Sequence, residues 1–155
     1  MSLIQAQASA VITAPADEVY AVFADYVDAH QHILPRPYFS DMIIEEGGQG
    51  AGTIFRTSVT VMGITNEFRM TVSEPVAGRS LRETDIASGL TTTFELEPVA
   101  DGRHTQVTIG TRWQSKNGIA GLIERLTTPP IMRSIYRKEF RNLQEYLDRR
   151  QARPA

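Results

Sequence analysis

The chain predicts an α+β fold: a curved antiparallel β-sheet of about six or seven strands gripping a long C-terminal helix, with two short helices after the first strand. Three observations carry this. The last ~25 residues, from Thr128-Pro129-Pro130 to Arg150, place Met132, Tyr136, Phe140, Leu143 and Leu147 at steps of four and three. Those side chains share one helical face, widened by Ile131 and Ile135. A run of alternating segments separated by glycine-bearing turns fills the middle of the chain, as in an antiparallel meander. A helix start, Ala14-Pro15-Ala16-Asp17-Glu18, follows the first alternating segment. At ~1.5 Å per residue the C-terminal helix spans roughly 30 Å, the width of a small domain, so it must lie across a sheet.

In order, Leu3 to Thr13 alternates Ile4, Ala6, Ala8, Ala10 and Ile12 with mostly polar residues, a strand pattern. Pro15 opens the first helix, Asp17 and Glu18 sit at its positive end, and Val19, Val22, Phe23 and Tyr26 form its stripe. Asp28 to Leu34 adds a short helix, stopped by Pro35 and Pro37. Strands are expected over Tyr38–Glu46, Thr53–Met62, Ile64–Glu74, Arg79–Ile86, Leu90–Glu97 and Arg103–Trp113. Gly63, Ser88-Gly89 and Asp101-Gly102 mark the tighter turns. Parity points Phe55, Thr57, Val59 and Val61 inward. The same holds for Phe68, Met70 and Val72, for Thr92, Phe94 and Leu96, and for Val107, Ile109, Thr111 and Trp113. From Arg79 to Ile86 parity leaves two choices open, Glu83 with Asp85 inward or Arg82 with Thr84. Thr128 is placed to cap the last helix, with Pro129 at its first position.

Composition excludes several functions. At 155 residues this reads as one domain spanning 1–155, able to bury roughly 70% of its unfolded surface unaided. Without cysteine there is no disulfide framework, thiolate metal site or cysteine nucleophile. A net charge of −2 makes no case for nucleic acid. No apolar run reaches the ~20 residues of a transmembrane segment, and a cytoplasmic location is the default expectation. Basic residues cluster from Arg133 to Arg153, with Glu139, Glu145 and Asp148 among them, which reads as a solvated helix face.

The order of strand, helix pair, long meander and long C-terminal helix resembles the START-like superfamily, which includes polyketide cyclase/dehydrase-like proteins and lipid-transfer domains. Ile12-Thr13-Ala14-Pro15-Ala16-Asp17-Glu18-Val19-Tyr20, Phe94-Glu95-Leu96-Glu97-Pro98 and Thr105-Gln106-Val107-Thr108 fall at the corresponding places, and the likeness covers roughly Ile4 to Leu147. It implies a helix-grip fold with a cavity between sheet and helix that takes apolar small molecules. It carries no fixed catalytic residues. One departure is expected: Thr127 to Pro130 breaks the C-terminal helical region, leaving a shorter amphipathic piece (Ile119, Leu122, Ile123, Leu126) ahead of the long helix.

The candidate lining is Phe55, Thr57, Val59, Phe68, Met70, Thr92, Phe94, Thr111, Trp113, Met132, Tyr136 and Phe140. Plain core packing is the competing reading for the aromatics. Inward threonines favour a pocket, because buried hydroxyls need partners that a ligand or water can supply. Acid/base candidates are Tyr26, His32, Glu83 and Tyr136. His30 and His32 diverge by ~200° on a helix, at ~100° per residue, so they read as partly exposed rather than as a metal pair. Glu46-Gly47-Gly48-Gln49-Gly50-Ala51-Gly52 is followed by a strand, not a helix, which argues against a phosphate loop. The expected function is binding of a lipid, polyketide, quinone or other aromatic metabolite, without metal or cofactor. The alternative is a cyclase/dehydrase-like enzyme in the same cavity. The sequence is compatible with a homodimer.

Overall fold

The structure, a computed structural model, describes residues 2–152. Seven antiparallel strands form a single sheet in the order β1-β7-β6-β5-β4-β3-β2. They are β1 (Leu3–Ile12), β2 (Ile43–Glu46), β3 (Ile54–Val61), β4 (Ile64–Ser73), β5 (Ser80–Asp85), β6 (Thr91–Val99) and β7 (His104–Gln114). Helices α1 (Ala16–Ala24) and α2 (Ala29–Ile33) follow β1, and α3 (Gly118–Ala152) closes the chain. This is the expected helix-grip arrangement. Arg153, the last residue of the basic run, lies outside the described residues. No described helix is long and apolar enough to cross a membrane.

Alternation sets the faces. On the inner face Ile4, Ala6, Ile12, Phe55, Met70, Val72, Phe94, Leu96, Val107 and Ile109 are buried, while their chain neighbours point out. From α3, Ile135, Tyr136, Phe140, Leu143 and Leu147 close on them. From the other side α1 and the segment after it push Val19, Val22, Phe23 and Tyr26 into the same core. Glu83 and Asp85 take the buried parity of β5 and Arg82 is exposed, which decides the choice the sequence left open.

Two expectations change. The strand expected over Tyr38–Glu46 shrinks to β2, because Pro35 to Tyr38 forms turns and Phe39 meets Val59 only as an isolated bridge. The helix break expected at Thr127–Pro130 is absent: α3 runs through Pro129 and Pro130, so Thr128 caps nothing. Proline's fixed φ is itself helical, so the helix can continue at the cost of lost donors for the carbonyls of Arg125 and Leu126 and of ring crowding against them. Burial of Pro129 and a 2.8 Å bond from Thr127 Oγ1 to the Ile123 carbonyl accompany the turn.

Candidate functional site

Burial along the inner face is graded. On β3, Phe55 is buried while Thr57, Val59 and Val61 are half-exposed. On β4, Met70 and Val72 are buried, Phe68 is half-exposed, and Asn66 and Ile64 are open. On β6, Phe94 is buried and Thr92 half-exposed, with Leu90 of the preceding turn half-exposed beyond it. On β7, Thr111 is buried and Trp113 half-exposed. Along α3, Phe140 and Tyr136 are buried and Met132 half-exposed. The deep half of the space between sheet and helix is thus core, and the outer half leaves a partly open strip of apolar side chains, hereafter the groove. Register explains the opening. β5 stops at Asp85, opposite Met70, so Ile64 to Phe68 has no β5 residue beside it.

What fills the deep half is aromatic. Phe23 meets Phe94 at 4.8 Å between ring centroids and Tyr26 stacks on Phe55 at 5.2 Å. Phe55, Met70, Phe94 and Phe140, four of the expected lining residues, are buried in this core. The expected threonines also find protein partners. Thr111 Oγ1 lies 2.8 Å from Thr92 Oγ1 and bonds the Tyr136 hydroxyl, and Thr57 Oγ1 donates to the Ser40 carbonyl at 3.3 Å. Tyr136, Thr111 and Thr92 form a polar floor where groove gives way to core.

Behind that floor sits a cluster of titratable groups. Tyr26 donates from its hydroxyl to Glu83 Oε1 at 2.9 Å. His30, buried against Phe23 and Phe94, places Nδ1 2.7 Å from the Phe23 carbonyl. A carbonyl only accepts, so Nδ1 carries the proton. Burial pushes the imidazole down to about 4, so at neutral pH Nε2 is a bare lone pair. That lone pair lies 4.0 Å from Glu83 Oε1 and 4.0 Å from Glu139 Oε1; with a neutral ring these approaches are not ion pairs. Glu139 is 2% exposed and its Oε1 has no hydrogen-bond partner. Burial, reinforced by the charge of Glu83, raises its carboxyl to about 8. Burial raises Glu83 to about 7 against the opposing bond from Tyr26. Tyr26 and Tyr136 are both pushed up, first by burial and then by the nearby carboxylates, with the Thr111 bond opposing at Tyr136. The arrangement holds the Glu139 carboxyl protonated inside an apolar core at pH 7, next to a neutral imidazole.

Of the four acid/base candidates, Tyr26, Glu83 and Tyr136 therefore come together and His32 does not. Its side chain is 61% exposed and tied to Asp28, Nδ1 to Oδ1 at 3.2 Å. The reading of both histidines as partly exposed is corrected by His30, which the curl of α2 under Phe23 buries. The larger correction is Glu139, read from the sequence as part of a solvated face. Its signal was present: Ile135, Glu139 and Leu143 run at steps of four down the buried stripe. Asp85 is buried too but serves the β5–β6 turn. Burial would raise its carboxyl, yet bonds from Ser88 Oγ (2.7 Å), Ser88 N (2.9 Å) and Arg69 N (3.0 Å) hold it below the usual range.

Two surface hollows lie elsewhere, one of about 480 Å³ where α3 begins and one of about 340 Å³ between His32, Arg36 and the Lys138–Arg149 stretch of α3. Among the described residues no group of three or more His, Asp or Glu side chains is placed to hold a metal ion.

Residues 4–148 match the family described as polyketide cyclase / dehydrase and lipid transport. The chain belongs to this family. Among solved structures, the KanY protein is 28% identical, with 96% of this chain and 99% of that one covered at a TM-score of 0.81. The Zhui aromatase/cyclase from a Streptomyces species is 17% identical, with 96% of both chains covered at a TM-score of 0.75. A START superfamily protein from Mycobacterium smegmatis is 14% identical, covering 94% and 95%, at a TM-score of 0.64. The latter two are similar in fold alone. No curated protein matches the chain. The description of the polyketide cyclase / dehydrase and lipid transport family covers two activities, both handling apolar small molecules.

Proposed function

We propose that this chain binds an apolar small molecule, such as a lipid, polyketide, quinone or other aromatic metabolite, in the groove between the outer half of the sheet and α3. The supporting observation is that Val59, Val61, Phe68, Leu90, Trp113 and Met132 stay half-exposed at the outer end of a face whose deep half is sealed. Covering apolar surface is worth ~25 cal/mol per Å², so a ligand shielding ~300 Å² gains roughly 7 kcal/mol before association costs. Thr92, Thr111 and Tyr136 at the floor suit a carbonyl or phenol at the ligand's inner end.

Trp113 is the single tryptophan, so its fluorescence reports the groove directly. Titration with lipids, quinones and polyketide-like aromatics is expected to give a saturable change for at least one class, weakened by Met132→Ala. Native mass spectrometry of the purified protein is expected to show the same class as an adduct. A clean apo mass with no response to any class would sink the reading.

One observation favours a second, enzymatic reading: Glu139, protonated and with an unpartnered Oε1, lies behind the groove floor beside His30 and the two tyrosines. A carboxylic acid kept neutral at pH 7 can donate to a carbonyl oxygen, which is one of the proton movements that cyclisation or dehydration of a poly-carbonyl chain requires. Under this reading Glu139→Gln abolishes turnover while Trp113 still reports binding.

A further inference from the structure

We propose that the end of the molecule around the groove mouth is a docking surface for an anionic lipid bilayer. Most of the large hydrophobic side chains the fold leaves exposed gather there. In the first turns of α3, Ile119 (79% exposed), Leu122, Ile123 and Leu126 (68%) recur at steps of three, one and three, one continuous face that the fold leaves mostly uncovered. At the β3–β4 tip stand Met62 (74%) and Ile64, and at the β5–β6 turn Ile86. Register puts all three at one end of the sheet, since Met70 pairs Asp85, Thr84 pairs Thr91, and Thr91 pairs Arg112 near the end of β7. Ile64 lies about 20 Å beyond Met70 along an extended strand, and Ile119 about 20 Å up-helix of Met132.

Met62 adds a separate observation. Met62 and Gly63 both have positive φ, 51° and 77°, the conformation of a two-residue hairpin turn in which asparagine or glycine is the ordinary first residue. Here an apolar side chain is held out into solvent in a backbone region it disfavours.

Charge selects the occupant. From Arg112 to Arg133 the cations are Arg112, Lys116, Arg125 and Arg133, and Glu124 is the one carboxylate. Glu124 is turned inward, accepting from Trp113 Nε1 at 2.8 Å and from the Lys116 amide at 3.0 Å. Neither the tip, 59–66, nor the turn, 86–92, contains an acid. A second copy docked on this face would set like cations against one another with no carboxylate to answer them. An apolar stripe with a cationic rim instead matches the interface of a bilayer carrying acidic headgroups. The surface is defined by exposed residues and does not depend on whether the groove holds a ligand.

The test is co-sedimentation of the full chain with phosphatidylcholine vesicles, with and without phosphatidylglycerol, at low and high salt. The wild-type protein is expected to pellet with the phosphatidylglycerol vesicles and to be released as salt rises. Leu122→Ser with Leu126→Ser, and separately Met62→Asn, which suits the left-handed backbone, are each expected to weaken binding by about tenfold or more. Both keep the wild-type thermal midpoint, since these side chains touch little. Equal pelleting of wild type and variants would overturn the proposal, as would binding indifferent to lipid charge and salt. So would a wild-type protein that stays in the supernatant and sediments as a dimer dissolved by the α3 variant, which would assign the face to a second copy.

Discussion

Replacing Glu139 by glutamine is expected to invert the usual effect of losing a buried acid: the variant becomes the more stable protein as pH rises. In the fold Glu139 is held at about 8, whereas an unfolded glutamate titrates near 4.5. Between those values the native state keeps a proton that the unfolded chain has released. Wild-type stability from this group is therefore complete below about pH 4.5 and is lost as pH climbs towards 8. Each pH unit in that window costs the native state ~1.4 kcal/mol. Since Glu83 contributes to the shift, a loss of about 2–4 kcal/mol between pH 5 and pH 8 is the reasonable scale. Glutamine has the same shape and no proton to lose, so the two proteins should agree within ~1 kcal/mol at pH 5. At ~2–4 °C per kcal/mol for a chain of this size, the variant should then melt about 5–15 °C above wild type at pH 8. Urea denaturation at half-unit pH steps measures the difference directly. His30, held down at about 4, works in the opposite sense between pH 4 and 6.5, but it is common to both proteins and cancels. A variant-minus-wild-type difference that stays flat from pH 5 to 9 would mean Glu139 ionises like a solvated carboxyl, and the interior proton store would be wrong.

Two further outcomes follow from single contacts. Tyr136→Phe removes the hydroxyl from the floor but leaves Thr111 bonded to Thr92 at 2.8 Å, so chemical denaturation should show a loss of only ~1 kcal/mol. Pro130→Ala restores a donor for the Leu126 carbonyl on an exposed helical position, so thermal denaturation and far-UV ellipticity should show a gain of about 1–3 kcal/mol and tighter helicity.

Periodicity made the fold legible. Period two in Phe55-Thr57-Val59 or Phe94-Leu96, period 3.6 in Met132 through Leu147, and glycine at the turns each describe a local constraint, and each returned as an element with the expected inner face. Where two local rules competed, the reading failed. Pro129 fits a first helical position because it lacks an N–H, yet a helical φ is what proline imposes, and α3 runs through both prolines with Pro129 buried. β5 offered no parity because Glu83 and Asp85 are polar residues on a buried face, a pattern that makes sense only with Tyr26 and the Ser88 turn beside them.

The sequence by itself determined the architecture, the inner rows of the sheet and the helix that closes them, because those depend on spacing along one chain. It also placed Tyr26, Glu83 and Tyr136 among the groups worth watching. Only the tertiary structure decided that Glu139 is interior rather than solvated, that His30 and not His32 joins it, and that the deep half of the expected cavity is filled by Phe23, Tyr26 and His30. The reason is that ionisation and cavity volume depend on what arrives from other elements. His30 on α2 lies more than a hundred residues from Glu139 on α3 along the chain, yet only the meeting of the two helices puts Glu139 Oε1 4.0 Å from an imidazole and out of reach of water.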